Sequence, residues 1–317
     1  MEEVLTRLPE VEACEEFKDG MEEVLRRLPK VEACEEFKEG VATTDVQVGD
    51  LVWVRIFRPQ LEGKKPVVLY AHGGAYCFGQ PNMYPFHAFC ASMCWLSNSI
   101  WVSLSYRLGP VHRLPAAFDD AALAFKWLIL QAKQQLSHPW LTSELADFSN
   151  FFFAGESAGA SIVLKVARDT AAAIDLLDLG PLCLKGLLLV DPGFHSEEKR
   201  GMMVDQDLHI QVEKLYDMVL PEGETLDYAP VNPLHVNAPP LESLAVYPHI
   251  FISIADKDFR YNMTMRFYEL VRGFCPDVQL YVTPGRSHVF HIFDPLCPEA
   301  ERLRIRLANF IQAWTAS

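Results

Sequence analysis

Residues 151–160, FFFAGESAGA, constrain the fold of this chain more than any other stretch. Phe151, Phe152, Phe153 and Ala154 form a short apolar run of the kind that occupies a buried strand, and the residues after Ala158 have helical spacing. Between them stands GxSxG. A strand that turns into a helix through this sequence places its serine on a sharp, strained bend, where flanking glycines let strand and helix approach closer than a Cβ would allow. Ser157 is therefore the candidate nucleophile, lifted above the end of a sheet. The competing reading is a glycine-rich strand-to-helix turn without chemistry.

The rest of the chain supplies the matching architecture. Residues 66–71, 100–105, 151–154, 187–190 and 250–254 are short and apolar throughout, as central parallel strands are, whereas 50–57 alternates like an edge strand. Helical stretches separate them at 115–132, 158–173, 262–272 and 298–314. Such alternation predicts an α/β fold with a mostly parallel central sheet flanked by helices. Residues 194–248, rich in proline and with Met202, Met203 and Met218, break the alternation and read as an inserted cap.

Residues 1–20 and 21–40 are nearly the same twenty residues twice. Two copies are too few for a solenoid. In each, apolar residues follow helical spacing up to Pro9 or Pro29, which suggests a pair of short amphipathic helices; the plain reading is a recent tandem duplication or an alternative start at Met21, and the functional one is a lid over an active site. The domain reading is thus a duplicated segment 1–40 followed by a catalytic unit 41–317.

Charge removes one class of partner. The formal net charge is −14, and an acidic field of that size repels phosphate backbones and anionic lipid surfaces. No nucleic acid or membrane partner is expected. The start of the chain lacks the basic and apolar regions of a signal peptide, and no apolar run approaches the roughly 20 residues that span a bilayer. Its 8 cysteines include no CxxC pair and read as reduced, buried small hydrophobes, so the expected setting is cytoplasmic, with nuclear entry open.

A serine hydroxyl needs a base, and the base needs a carboxylate to orient it. In a strand-elbow-helix context the chain order is serine, acid, histidine. His288, in the loop TPGRSHVFH at 283–291, follows an apparent strand at 278–282 and precedes the last helix, where the base belongs. His291 is its rival, read as packing or capping in the first helical turn. The acid should follow the strand at 250–254, where Asp256 and Asp258 both stand, and the residues alone do not choose between them. Asp175, Asp178 and Asp191 come too early. An oxyanion hole is expected from the loop at 69–76, LYAHGGAY, with the amides of Gly73, Gly74 and Ala158 as donors. Glu156 reads as a buried structural carboxylate. Tyr76, Phe78 and Phe194 are the candidate pocket lining, and no metal or cofactor is called for.

From about Val41 to Trp314 the chain resembles the plant carboxylesterases of the hormone-sensitive-lipase branch of α/β hydrolases. The likeness rests on SYRLGPVHRLPAAFDD at 105–120, the approach WLTSELADFS at 140–149 and HVFHIFDP at 288–295, which are similar to that family's YRLAPEH-x-LPAA-x-DD, PWL…ADFS and HVFHLF-x-P segments. The resemblance implies the α/β-hydrolase fold. It also implies that the acid is Asp258, because DKDFRYN at 256–262 is similar to the family's EKD-L-x-x-D. Three departures stand out: HGGG is HGGA here, with Ala75; GDSAGAN is GESAGAS; and APEH is GPVH, with Val111 in place of glutamate. Gibberellin receptors of the same fold lack the histidine that His288 supplies, and isoflavanone dehydratases use the framework for elimination. Segments at 77–79, 86–90, 112–115 and 239–244 look most like the strigolactone-hydrolysing branch. The resulting expectation is a serine carboxylesterase, monomer or homodimer, acting on a small, largely apolar ester or lactone; the alternatives are a hormone receptor that binds without turnover and a dehydratase or cyclase.

Overall fold

The computed structural model describes residues 28–199 and 206–314. The first twenty-residue copy and the start of the second lie outside them, and so does the lid expected there. Residues 28–40 contain no helix; they run along the protein surface, with isolated bridges from Lys30 to Met83 and from Lys38 to Val41.

Among the described residues eight strands form one sheet: β1 Val41–Gln47, β2 Trp53–Pro59, β3 Lys65–Ala71, β4 Ile100–Ser105, β5 Ala146–Ser157, β6 Leu184–Pro192, β7 His249–Ala255 and β8 Asp277–Thr283. Their order is β1-β2-β4-β3-β5-β6-β7-β8. The pairs β1/β2 and β2/β4 are antiparallel and the other five are parallel. The strand expected at the edge is therefore second, because β1 covers it. Its alternation survives for a different reason: Arg55, on the face opposite Val54 and Ile56, is buried and paired with Asp45 of β1 at 2.7 Å.

The helices among the described residues are α1 Tyr84–Ser97, α2 Ala116–Ala132, α3 Ala158–Ala172, α4 Gln206–Val219, α5 Tyr261–Val271, the single turn α6 Phe290–Phe293, and α7 Pro298–Ala313. They cover both faces of the sheet, and the strands divide their residues between two cores by the period of two. Val67, Leu69 and Ala71 of β3 join one core with Phe118, Leu128, Ile162 and Val163, while Val68 and Tyr70 join the other with Phe89, Met93, Leu303 and Phe310. Helix α1 went unread in the sequence because it packs on the sheet and α7, with ten of its residues buried, and so shows little amphipathic contrast. Between residues 194 and 248 the described residues hold α4 and two 3-10 turns, Glu197–Lys199 and Leu241–Val246, and no strand.

This arrangement brings the C-terminal ends of β3, β5, β6, β7 and β8 together along one rim. Open parallel sheets bind ligands at that rim, because the loops leaving successive strands converge there.

Candidate active site

Ser157 ends β5 and precedes α3 with φ 48° and ψ −124°, a strained conformation for a residue with a Cβ. The flanking glycines make it possible. A Cβ on Gly159 would lie 2.0 Å from the carbonyl oxygen of Ala71, and one on Gly155 would lie 2.4 Å from that of Gly159. Gly193, after β6, is pressed against the elbow from the other side: its N–H donates to the Ser157 carbonyl at 2.8 Å, and a Cβ there would meet Ser157 C at 2.7 Å.

The downstream loops deliver two more side chains to this hydroxyl. His288 Nε2 lies 2.8 Å from Ser157 Oγ, and His288 Nδ1 lies 2.5 Å from Asp258 Oδ2. The remaining Asp258 oxygen accepts from Arg260 N at 2.8 Å. With Nδ1 donating to the carboxylate, Nε2 is left as the acceptor for the serine proton. Burial pushes the Asp258 carboxyl up, but the charge and hydrogen bond of His288, with help from Arg260, hold it below the usual carboxylate value. Burial and Arg260 lower the His288 pKa and Asp258 raises it; the net shift is downward, so the ring stays neutral below its ordinary titration range.

The same geometry separates the two candidate acids. Asp256 is exposed and accepts from Gly285 N at 2.7 Å, bracing the loop that leads to His288, whereas Asp258 is buried against the imidazole itself. His291 is far from solvent and bonded to Glu156 Oε2 at 2.9 Å. It supports the elbow from beneath.

Glu156 also changes the donor set of the HGG loop. Its Oε1 accepts from Gly73 N at 3.3 Å, so the Gly73 amide, expected among the oxyanion donors, is turned toward a carboxylate instead. The amides of Gly74 and Ala75 have no acceptor among the described residues, and that of Ala158 opens α3, where the first N–H groups of a helix lack intrahelical partners. Both loop residues have positive φ, 111° and 50°, which sets their amides in a tight bend. His72 and Tyr106 hold that bend in place. The rings stack at 4.4 Å, and Tyr106 Oη donates to the carbonyls of His72 and Gly73 at 2.9 and 3.2 Å. Burial drives the His72 pKa down to about 4, so it acts as a neutral brace. Arg107, next in sequence, anchors the segment through Asp120 at 2.7 Å.

Of the expected lining residues, Tyr76 is buried in the HGG loop, edge-on to Phe118 and Tyr216. Phe78 is partly buried against the main core. Phe194 is 1% exposed and packs on Phe267 at 4.9 Å, which makes it a core residue beneath the site.

Asp191 was set aside in the sequence as coming too early, yet it links the two loops. At the end of β6, with φ 40°, its oxygens accept from Ala255 N at 3.1 Å and Val289 N at 3.0 Å, the backbone groups beside the acid and histidine loops. Burial, and then the neighbouring Asp258 charge, raise its pKa well above normal. Asp191, Asp258 and His288 approach one another closely enough to form a potential metal cluster, but all three already spend their lone pairs or protons on the partners named here. The signal that would have found Asp191 is its position, the last residues of a central strand at the ligand-binding rim.

Comparison with known proteins places this site in a family. The model of a family described as having the α/β hydrolase fold matches residues 68–292. The chain belongs to the α/β-hydrolase family. Within it, the chain is 36% identical over 284 residues to carboxylesterase 20 of Arabidopsis thaliana, covering 84% of each protein. It is 31% identical over 263 residues to a probable carboxylesterase 2 of the same plant, covering 81% of this chain and 80% of that one. These relatives put it in the plant carboxylesterase branch. A 2-hydroxyisoflavanone dehydratase of Glycyrrhiza echinata is 29% identical over 285 residues, 86% of this chain and 85% of that one. Among solved structures, an esterase of Mycobacterium marinum superposes with a TM-score of 0.69 at 23% identity over 86% of this chain and 82% of that chain, a likeness of fold.

Proposed function

We propose that this α/β hydrolase is a serine carboxylesterase, and that Ser157, His288 and Asp258 are its triad. The observation that carries the reading is the unbroken relay from Asp258 through both nitrogens of His288 to the Ser157 hydroxyl, with links of 2.5 and 2.8 Å. His288 takes the serine proton as Oγ attacks the ester carbonyl, and returns it to the leaving alkoxide. The Asp258 carboxylate fixes the tautomer and stabilises the imidazolium that forms. Gly74, Ala75 and Ala158 are the proposed oxyanion donors, with Gly73 replaced by Ala75 for the reason given above. Water then repeats the attack on the acyl-enzyme. No step requires a metal or cofactor.

The substrate class proposed is a small ester or lactone, a strigolactone-type hormone among the candidates, bound between the HGG loop and the cap insertion 194–248. The free thiols of the seven described cysteines suit a reducing compartment such as the cytoplasm, though Cys183 is exposed where a buried residue was expected. Two measurements test the reading: 4-nitrophenyl butyrate turnover with an initial burst, lost in Ser157→Ala, and mass analysis of products from hormone esters and lactones. The dehydratase relative makes elimination the second reading. Products that have lost water, with no acid formed, would replace hydrolysis by that chemistry.

A further inference from the structure

The side chain of one buried cation beside the triad, Arg260, is neither acid, base nor oxyanion donor in the chemistry described. Arg260 is 5% exposed. It caps the start of α5, and its backbone N–H is the one that serves Asp258. The side chain is held from two sides. Its Nε and Nη2 both donate to His195 Nε2, at 3.2 and 2.6 Å, so that nitrogen is the unprotonated one and offers no charge. Its guanidinium carbon lies 3.9 Å from the centre of the Phe259 ring, which also neighbours the rings of His288 at 5.6 Å and His195 at 6.0 Å. What remains is Nη1, buried and without a hydrogen-bond partner among the described residues. No carboxylate among the described residues forms an ion pair with it.

The charge of Arg260 reaches groups on both the acid–histidine loops and the HGG loop. It acts on His288 and Asp258, and also on Tyr216 and on Tyr76. Tyr216 links these, packing on His195 at 4.1 Å and edge-on to Tyr76 of the HGG loop at 5.8 Å. The neighbours of Arg260 are the His195 imidazole, the Phe259 ring and the Tyr216 hydroxyl, and a buried guanidinium without a carboxylate in ion-pair contact among the described residues keeps much of its desolvation cost. Its planar fork is matched in shape and charge by a carboxylate, and one donor of that fork is unused.

We propose that Arg260 receives a carboxylate carried by the substrate, so that the esters this enzyme prefers bear a free acid group besides the ester that Ser157 attacks. This rests on the esterase reading above and narrows its substrate class from small esters and lactones in general to those that carry a carboxylate. His195 and Phe259 hold the guanidinium in position, and the unused Nη1 supplies the contact.

The test uses paired substrates. On the acyl side these are the mono-4-nitrophenyl esters of succinate, glutarate and adipate, each against a neutral counterpart with isopropyl in place of the carboxylate. On the alcohol side they are butyrate esters of 3- and 4-hydroxybenzoate against the corresponding cresyl butyrates. The readout is the ratio of kcat/KM, charged over neutral, in wild type, Arg260→Lys and Arg260→Gln. We expect at least one pair to favour the charged ester about tenfold or more in wild type, a ratio that drops about ten- to a hundredfold in Arg260→Gln, chiefly through KM, and is partly kept in Arg260→Lys. Ratios at or below one for every wild-type pair overturn the proposal, even if the variants fail to fold. A wild-type preference that persists in Arg260→Gln also overturns it, since another group then recognises the acid. If no ester of either kind is hydrolysed, the esterase reading itself has failed; neutral turnover without charge preference removes the Arg260 proposal alone.

Discussion

Replacing Asp258 by Asn probes the relay at its least visible joint. The carboxylate has two fixed neighbours, Arg260 N–H on Oδ1 at 2.8 Å and His288 Nδ1 on Oδ2 at 2.5 Å. An asparagine amide must give its oxygen to one and its NH2 to the other, and a backbone N–H can only donate. The oxygen therefore turns to Arg260 and the NH2 to His288. An NH2 facing Nδ1 requires that nitrogen to accept, which moves the ring proton to Nε2, the atom that must take the proton of Ser157. The substitution preserves shape and reverses the base. Loss of a triad carboxylate in this manner costs about 10⁴-fold in kcat, or about 5 kcal/mol of transition-state stabilisation. Asp256→Asn is the control, since its oxygen can still accept from Gly285 N; it should change kcat less than threefold, a bound of roughly 0.6 kcal/mol. Steady-state hydrolysis of 4-nitrophenyl butyrate by both variants, with circular dichroism to confirm folding, decides the matter. Equal losses, or a larger loss in Asp256→Asn, would refute the tautomer argument and the choice of acid.

The structure also carries predictions about stability and positioning. Gly159→Ala drives a methyl to within 2.0 Å of the Ala71 carbonyl and should destabilise the protein by about 3 kcal/mol or more, measured by urea denaturation; a change under about 0.5 kcal/mol would show that the close approach of helix and strand is absent. Burial lowers the pKa of His72 to about 4 and of His87 to about 3. Near pH 5 the unfolded chain therefore binds two protons that the folded one refuses. These two rings should take about 2 kcal/mol of stability as pH drops from about 6 to 5, more than the single Asp191 carboxyl, whose raised pKa acts in the opposite sense, can return, so a flat denaturation midpoint over that range contradicts the burial of these rings. Asp191→Asn keeps one acceptor for the two N–H groups of Ala255 and Val289, so kcat should fall about tenfold or more with little change in KM; full activity would mean that the two loops hold their places unaided.

The sheet was legible because its central strands are buried on both faces and so apolar throughout, and the elbow because strain of that kind demands glycines at fixed spacing. What escaped was structure whose signal is tertiary. Helix α1 is buried nearly all round and has no polar face to mark its period, while β1 is a short strand that matters by covering β2. The order serine, acid, histidine narrowed the site to a few residues, but the choice between Asp256 and Asp258 rested on resemblance, because both follow the same strand and only the path of the chain decides which carboxyl turns inward. Gly73 looked like a donor because small residues in a tight loop suit that task; that its N–H faces Glu156 depends on a side chain 83 positions later. Arg260 and Asp191 have no local pattern, since their neighbours come from separate loops that converge only in the folded chain.

The most direct test of the central claim, that Ser157 is an activated nucleophile, is stoichiometric reaction with a small fluorophosphonate followed by intact-mass and peptide analysis. The account predicts one phosphonyl adduct per chain, located on Ser157, appearing in step with the loss of ester turnover and absent from both Ser157→Ala and the chain pretreated with denaturant. Turnover that survives full exposure to the reagent, or an adduct on a different residue that tracks its loss, would contradict it.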